Sequence, residues 1–243
     1  MSEQHFTTTG PVRLEVGVAA GEIDIATVDG AEATVTVTGS QRLVDATTVE
    51  LTGDRLRIHH QRKLFAGFLG FDGPFRVQVQ VPHRSRVEIV TASGTTTVDG
   101  AIARLVAKTA SGDIRVTGEL DGDATVKTVS GDVQLPQVSG DVDVRTVSGD
   151  VGAASVAGSL SVKSVSGCVR VASLREGTAD VQSVSGDVEL GVAAGTNVEV
   201  DAGSASGQVS SEVPLSGAPS GEPGPRLVVR SKTVSGDFRL VRA

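Results

Sequence analysis

Apolar and polar residues alternate in short runs along this chain, and glycine or proline separates the runs. Such alternation is typical of β-strands, because successive side chains of a strand point to opposite faces. Gly53 and Asp54 lie between two of the runs, which indicates a hairpin. Before residue 90 the pattern predicts seven strands: Val12–Val18, Glu22–Val28, Ala33–Thr38, Thr47–Leu51, Arg55–His60, Phe75–Val81 and Arg86–Val90.

From about Thr91 onward the chain repeats itself in steps of 18 to 29 residues. The dipeptide Ser-Gly marks the repeats at Ser93, Ser111, Ser130, Ser148, Ser166, Ser185, Ser206 and Ser235. Four residues before each serine, and three and five residues after it, the position is usually Val, Leu, Ile or Ala. The residues between these apolar positions are mostly polar. Each repeat therefore predicts two short strands joined by two tight turns.

Two strands of four or five residues are not stable alone in water, so the repeats must stack. Stacking pairs every strand with its counterparts at the ~4.8 Å spacing of a sheet. The sequence therefore predicts an all-β fold, a parallel β-solenoid of two-strand coils of about 18–19 residues. We expect residues 1–90 to form an irregular β-rich part continuous with the solenoid, and 91–243 to form the regular part with a Pro- and Gly-rich loop at 211–226. Phe238 replaces the usual Val, and we expect it to fill the final layer.

Composition and charge narrow the function. The formal net charge is −7, and the chain has no Trp, no Tyr and only six Phe. Nucleic-acid binding favours a basic excess and stacking aromatics, so we expect no nucleic-acid partner. The first residues do not resemble a secretory signal, and no apolar run is long enough for a membrane span. Cys168 is the only cysteine. We therefore expect a cytoplasmic protein without disulfides, with association with the cell envelope left open.

Two charged columns recur in the repeats. The acidic column is Asp113, Asp132, Asp150, Asp187 and Asp237. Such a column could bind calcium, or each carboxylate could accept backbone N–H groups of its own turn. The chain lacks the double-glycine motif of calcium-binding β-rolls, which favours the second interpretation, and we predict no metal or cofactor.

The basic column lies three residues before each serine, and Gln182 interrupts it before Lys232. It could bind an anion or a polysaccharide, or it could simply keep an outer face soluble. A second unusual feature is a Phe-rich segment before Pro74, which could form an interaction surface or cap the open end of the solenoid. The candidate interaction residues are therefore Phe65, Phe68, Phe71, Lys108, Lys127, Arg145 and Lys163.

Residues for catalysis are sparse. All four histidines, His5, His59, His60 and His83, precede the repeats, whereas the serines of the Ser-Gly corners are structural copies of one another. His59 and His60 are adjacent, so they point to opposite faces of a strand and cannot bind one metal together. We find no nucleophile beside an oriented base and predict that the protein is not an enzyme.

The repeats Thr128–Val133, Thr146–Val151 and Ser183–Val188, together with Gly21–Ile25, resemble a bacterial β-strand-repeat family of unknown function labelled putative adhesin. The resemblance spans nearly the whole chain and implies a β-solenoid with no known catalytic residues. It favours a binding or scaffolding protein with an unknown protein or glycan partner. Two alternatives stay open: a structural module that stacks end to end as a homo-oligomer and, more weakly, a carbohydrate-active β-helix enzyme.

Overall fold

The structure is a computed structural model that describes residues 1–60, 73–213 and 224–243. Its regular elements are almost all strands. They are β1 (Ser2–Thr7), β2 (Arg13–Ala20), β3 (Glu22–Val28), β4 (Glu32–Thr38), α1 (Gln41–Asp45), β5 (Thr47–Thr52), β6 (Arg55–His60), β7 (Arg76–Pro82), β8 (Ser85–Ser93), β9 (Thr96–Lys108), β10 (Ile114–Leu120), β11 (Ala124–Lys127), β12 (Val133–Val138), β13 (Val142–Arg145), β14 (Val151–Val156), β15 (Leu160–Ser166), β16 (Val169–Leu174), β17 (Gly177–Ser185), β18 (Val188–Val192), β19 (Asn197–Ser206), β20 (Val209–Ser211), β21 (Arg226–Ser235) and β22 (Phe238–Arg242).

The seven strands predicted before residue 90 are all present, and β3 and β6 have the predicted bounds. The hairpin at Gly53 and Asp54 is confirmed, because β5 and β6 pair antiparallel across it. The sequence pattern missed β1 and the short helix α1. Leu43 and Val44 of that helix are buried. The described residues divide into two compact units, Met1–Asp121 (unit 1) and Gly122–Ala243 (unit 2).

Unit 1 contains parallel strands together with antiparallel ones. One sheet has the strand order β5–β6–β2–β8–β9, in which only β5 runs antiparallel to its neighbour. The other has the order β1–β4–β7–β3–β9–β10, in which β4 runs antiparallel to both β1 and β7. The long strand β9 belongs to both sheets. These antiparallel strands account for the irregular pattern that the sequence shows before residue 90.

Unit 2 is a regular stack of parallel strands. Its first sheet has the order β11–β13–β15–β17–β21–β19, and its second has the order β12–β14–β16–β18–β22–β20. Equivalent valines face each other across neighbouring strands: Val126 pairs with Val144, Val144 with Val162, and Val162 with Val181. All four are fully buried. The predicted parallel solenoid, with equivalent residues stacked in register, is confirmed in this unit.

The coils of unit 2 do not stack in chain order. Strand β21 lies between β17 and β19, and β22 lies between β18 and β20. Phe238 therefore pairs with Val188 on one side and with Val209 on the other, and only 1% of it is exposed. The expectation that Phe238 fills the final layer is wrong, because the coil of β19 and β20 covers it. The strands of unit 1 also depart from chain order. Strand β2 lies between β6 and β8, and β3 lies between β7 and β9.

Glycine is required at each Ser-Gly corner because the backbones of successive coils touch there. Gly149 has φ +121°, and a Cβ on it would lie 2.3 Å from the carbonyl oxygen of Gly131. Gly167 meets Gly149 in the same way at 2.2 Å. A larger residue would thus be strained twice, by its backbone conformation and by a collision with the coil beneath it.

The acidic column connects coils. In unit 2 an Oδ1 of Asp132 accepts the N–H of Asp150 at 2.9 Å, and an Oδ1 of Asp150 accepts the N–H of Cys168 at 2.8 Å. The same bond joins Asp187 to the N–H of Asp237 at 2.9 Å. The interpretation that each carboxylate caps its own turn is therefore wrong in one respect: the N–H that it accepts belongs to the equivalent residue of the next coil.

At most corners the inward hydroxyl two residues before the serine donates to the carbonyl oxygen of that serine. The Oγ1 of Thr128 donates to the carbonyl oxygen of Ser130 at 3.1 Å, and that of Thr146 donates to the carbonyl oxygen of Ser148 at 3.0 Å. Both threonines are buried. The equivalent buried hydroxyls of Ser183 and Thr233 have no described hydrogen-bond partner, so the bond is absent at those two corners.

Candidate interaction surfaces

The predicted basic column of unit 2 lies on the outer side of its first sheet. We call this set the basic row, and in spatial order it consists of Lys127, Arg145, Lys163, Gln182 and Lys232. At ~4.8 Å per strand the row is about 19 Å long. Arg145 lies 3.4 Å from the carboxylate of Asp143. No described residue forms an ion pair or hydrogen bond with the side chains of Lys127, Lys163 or Lys232.

A row of exposed valines runs beside the basic row, two residues further along each strand. Its members, the valine row, are Val129, Val147, Val165, Val184 and Val234, each 46–55% exposed. Their register follows from the pairing of Ser130 with Ser148 and of Ser148 with Ser166, together with the bonds from the N–H of Ser148 to the carbonyl oxygen of Val129 and from Ser166 to Val147, both 2.8 Å. We refer to the two rows together as the basic–valine face.

The valine row is an outcome of strand alternation that the sequence interpretation missed. The residues four and two positions before each serine point inward, as buried Val144 and Thr146 show. The residues three positions and one position before it must then point outward. An apolar strip of about 19 Å beside a row of basic side chains is typical of a surface that contacts a partner.

The other predicted interaction residues lie elsewhere. Lys108 belongs to unit 1, where it pairs in register with Val90, and its Nζ lies 4.0 Å from Glu88. Phe65, Phe68 and Phe71 lie outside the described residues, and so does most of the 211–226 loop. Phe75, which follows them, is buried with its ring centroid 4.8 Å from that of His60.

Unit 1 carries a second basic set that the sequence interpretation did not find. Backbone register places Arg55 beside Arg13, Arg13 beside Arg86, and Arg86 beside Arg104, on the strands β6, β2, β8 and β9. We call these four residues the arginine row. Arg86 and Arg104 are 18 residues apart, which is one repeat length, but Arg13 and Arg55 precede the repeats. No alignment of the Ser-Gly corners could therefore have included them.

A hydroxyl, an imidazole and a carboxylate lie in line on unit 1. The Oγ1 of Thr27 is 2.7 Å from Nδ1 of His83, and Nε2 of His83 is 3.4 Å from Asp29. The order resembles that of a nucleophile, a base and an orienting acid. However, the Thr27 oxygen also accepts the N–H of Ala101 at 3.0 Å, and a Cβ built on Gly100 would lie 2.1 Å from it. The oxygen is packed against backbone, which leaves no room for a substrate on that side.

His60 ends strand β6 with its side chain inside unit 1. Burial lowers the pKa of His60 below the usual histidine value, and the neighbouring His59 lowers it further. No described residue forms a hydrogen bond with its Nε2. The ring lies with Ala19, Ala20, Leu43 and Phe75 around a small apolar cavity. This position favours the neutral imidazole and indicates a core role.

Two further features of the described ranges bear on function. No group of three or more His, Cys, Asp or Glu side chains in them is arranged to bind a metal ion. A search of the same ranges for a helix of sufficient length and apolar character to cross a membrane found none.

Comparison with known proteins identifies a family and several similar structures. A family model, Toastrack DUF4097, matches residues 12–240. A putative adhesin from Bacteroides fragilis NCTC 9343 has a similar crystal structure, with a TM-score of 0.54 and 13% identity over 98% of this chain and 96% of that one. A putative cell adhesion protein from Clostridium sporogenes ATCC 15579 aligns over 100% of this chain and 99% of its own at 12% identity, with a TM-score of 0.37. A putative lipid binding protein from Parabacteroides distasonis ATCC 8503 aligns over 99% and 96% at 11% identity, with a TM-score of 0.32. Among curated proteins, no sequence matches significantly.

Proposed function

This chain belongs to the Toastrack DUF4097 family, and from that starting point we propose that it is a non-catalytic binding or scaffolding module of the adhesin type. The observation that carries the proposal is the basic–valine face. Five half-exposed valines and four basic side chains stand in two parallel rows on one regular sheet. A partner with an apolar strip and negative charges would cover both rows at once.

The chemistry of the face supports binding rather than catalysis. Half-exposed Val lowers the free energy of a complex when a partner covers it, by roughly 25 cal/mol per Å² of apolar area removed from water. The lysines add attraction to an anionic partner without requiring a fixed geometry. The arrangement of Thr27, His83 and Asp29, which could suggest an enzyme, has its oxygen packed against Gly100. The similar structure from Bacteroides fragilis is that of a putative adhesin.

Capture from native lysate and from the envelope fraction of the source organism tests the face. The immobilised full chain is compared with Arg145→Ala/Lys163→Ala, and with Val147→Ser/Val165→Ser. The control is Arg170→Ala/Arg239→Ala, which removes the same charge from the second sheet of unit 2. We expect the parent and the control to retain a common partner that both face variants lose. Retention of every captured partner by both face variants would refute the proposal.

End-to-end self-association is a second candidate, because one observation favours it. Strand β19 pairs with β21 on one side, and no described strand pairs with its other side. An open parallel edge can pair with another chain, but Glu199 and Asp201 on this strand are charges of the kind that prevent such pairing. Sedimentation equilibrium of the parent and of Glu199→Thr/Asp201→Thr distinguishes self-association from a stable monomer. Self-association requires a mass that rises with concentration in the parent, and a constant monomer mass excludes it.

A further inference from the structure

We propose that the arginine row of unit 1 binds a linear acidic polysaccharide whose carboxylate or sulfate groups each contact one arginine. Arg55, Arg13, Arg86 and Arg104 stand on four consecutive strands in register. At ~4.8 Å per strand, the four residues span about 14 Å. The site is separate from the basic–valine face, so the proposal does not depend on the function inferred for that face.

Three of the four charges of the row are not neutralised by any described residue. Arg55 lies 3.1 Å from Glu15. No described residue forms an ion pair or hydrogen bond with the side chains of Arg13, Arg86 or Arg104. Arg86 and Arg104 are exposed. Like charges on directly opposed residues of neighbouring strands repel, and a bound polyanion removes that repulsion.

The neighbouring row on the same sheet carries charges of both signs and serves as a comparison. Two residues further along the strands stand Arg57, Glu15 and Glu88 in register, with Glu50 beside Arg57. Arg57 lies 3.1 Å from Glu15, and Glu88 lies 4.0 Å from Lys108. This row mixes both signs, as expected for a surface that only needs to be soluble. The arginine row, with one sign throughout, differs from it.

The narrow width of the arginine row favours a single polyanionic chain over a broad anionic surface. The mixed row of Glu50, Arg57, Glu15 and Glu88, in which three acidic residues stand with one arginine, lies only ~7 Å away, which is two residues along a strand. A flat anionic membrane would meet those carboxylates together with the arginines. A single narrow chain could follow the arginines alone. A narrow polyanionic chain is therefore a better partner for this row than an anionic membrane.

The spacing of the charges favours a glycan over an acidic peptide. An extended peptide presents same-face side chains ~6.8 Å apart, which does not match four arginines ~4.8 Å apart. A linear uronan carries one carboxylate on every sugar ring, and rotation about the glycosidic bonds lets neighbouring carboxylates turn toward the same row of arginines. Single-stranded nucleic acid requires stacking aromatics, and the chain has no Trp or Tyr. Guanidinium forms two parallel hydrogen bonds with a carboxylate or sulfate, which suits arginine to this ligand.

Binding of defined polymers to the full chain tests the proposal. The probes are polygalacturonate for carboxylates, dextran sulfate for sulfates, and neutral dextran as the uncharged control, measured by biolayer interferometry at 50 and 300 mM NaCl. We expect at least one acidic glycan to bind, more weakly at the higher salt, and neutral dextran not to bind. Which acidic glycan binds more tightly identifies the group that is recognised.

The variant Arg86→Ala/Arg104→Ala removes two arginines that have no described partner. We expect acidic-glycan binding to weaken about 3- to 30-fold, and the melting temperature not to fall because like charges are removed. Arg86→Lys/Arg104→Lys keeps the charge but loses the paired hydrogen bonds, so we expect intermediate affinity. Arg170→Ala/Arg239→Ala in unit 2 is the charge-matched control and should leave binding unchanged.

Three outcomes would overturn the inference. The first is that no acidic glycan binds the parent. The second is equal affinity of the parent and Arg86→Ala/Arg104→Ala, since the row would then not be the site. The third is tighter binding of polyglutamate, or of phosphatidylglycerol vesicles, that depends on the same two arginines, since the ligand class would then be wrong.

Discussion

Replacing Cys168 by asparagine should stabilise unit 2, because Cys168 interrupts the hydrogen bonds that join the acidic corners. Its own N–H is accepted by Asp150 at 2.8 Å, but its thiol replaces the carboxylate that would accept the N–H of the next coil. That next residue is Asp187, and no described residue accepts its N–H. Asparagine would supply the missing oxygen without adding charge.

The magnitude follows from two opposing effects. One added hydrogen bond stabilises a folded protein by ~1 kcal/mol net. Aspartate at residue 168 would make the same bond but would stand between Asp150 and Asp187, each about one strand spacing away. Two like charges ~4.8 Å apart repel by ~0.9 kcal/mol in water, so two neighbours oppose the hydrogen bond by ~1.7 kcal/mol. We therefore expect Cys168→Asn to gain ~1 kcal/mol over Cys168→Ala, and Cys168→Asp to gain nothing or to lose stability.

Urea denaturation of the full chain, with the parent and the three variants side by side under reducing conditions, measures these differences. At 20 mM NaCl the order of stability should be Asn above Ala, with Asp at or below Ala. At 500 mM NaCl the Asp variant should approach the Asn variant, because salt screens the repulsion. If Cys168→Asp is as stable as Cys168→Asn at low salt, or if Cys168→Asn does not exceed Cys168→Ala, the reasoning about this column is wrong.

Three other changes have expected results. Gly149→Ala should destabilise the protein by several kcal/mol, because its Cβ would lie 2.3 Å from a carbonyl oxygen at φ +121°, whereas Gly203→Ala, with open space around it, should change the urea midpoint little. Ser231→Ala should raise stability by ~1 kcal/mol in the same assay, because the buried Ser231 hydroxyl has no described hydrogen-bond partner. Burial lowers the pKa of His60, so the unfolded state binds more protons near pH 6 and stability should fall as the pH drops through about 6.5; His60→Phe should reduce this slope, and His5→Gln should not.

The repeat made the architecture of unit 2 predictable. A period of two around each Ser-Gly corner identifies the inward residues, and the structure pairs Val126, Val144 and Val162 as that pattern requires. The order of the coils was not predictable, because neighbouring coils present the same apolar columns to one another. The sequence of β21 fits between β17 and β19 as well as beyond β19. Local pattern therefore specifies which residues stack but not which coil lies next to which.

The candidate surfaces were predicted only in part. The basic row was visible because its members keep a fixed distance from the corners. The valine row follows from the same alternation. However, an apolar residue such as Val147 is assigned to the core unless its outward direction is considered. The arginine row could not be predicted, since Arg13 and Arg55 approach Arg86 through a strand order that no local pattern encodes.

In-register stacking underlies both proposed surfaces, and spin labels can test it directly. Nitroxide labels are attached at Val129→Cys and Val147→Cys in a Cys168→Ala background, and the continuous-wave spectrum is compared with that of the pair at residues 129 and 165. The account predicts strong dipolar broadening for the first pair, whose backbones lie one strand spacing apart, and clearly weaker broadening for the second, two spacings apart. Spectra without broadening for 129 and 147, in a protein whose circular dichroism matches that of the parent, would contradict it.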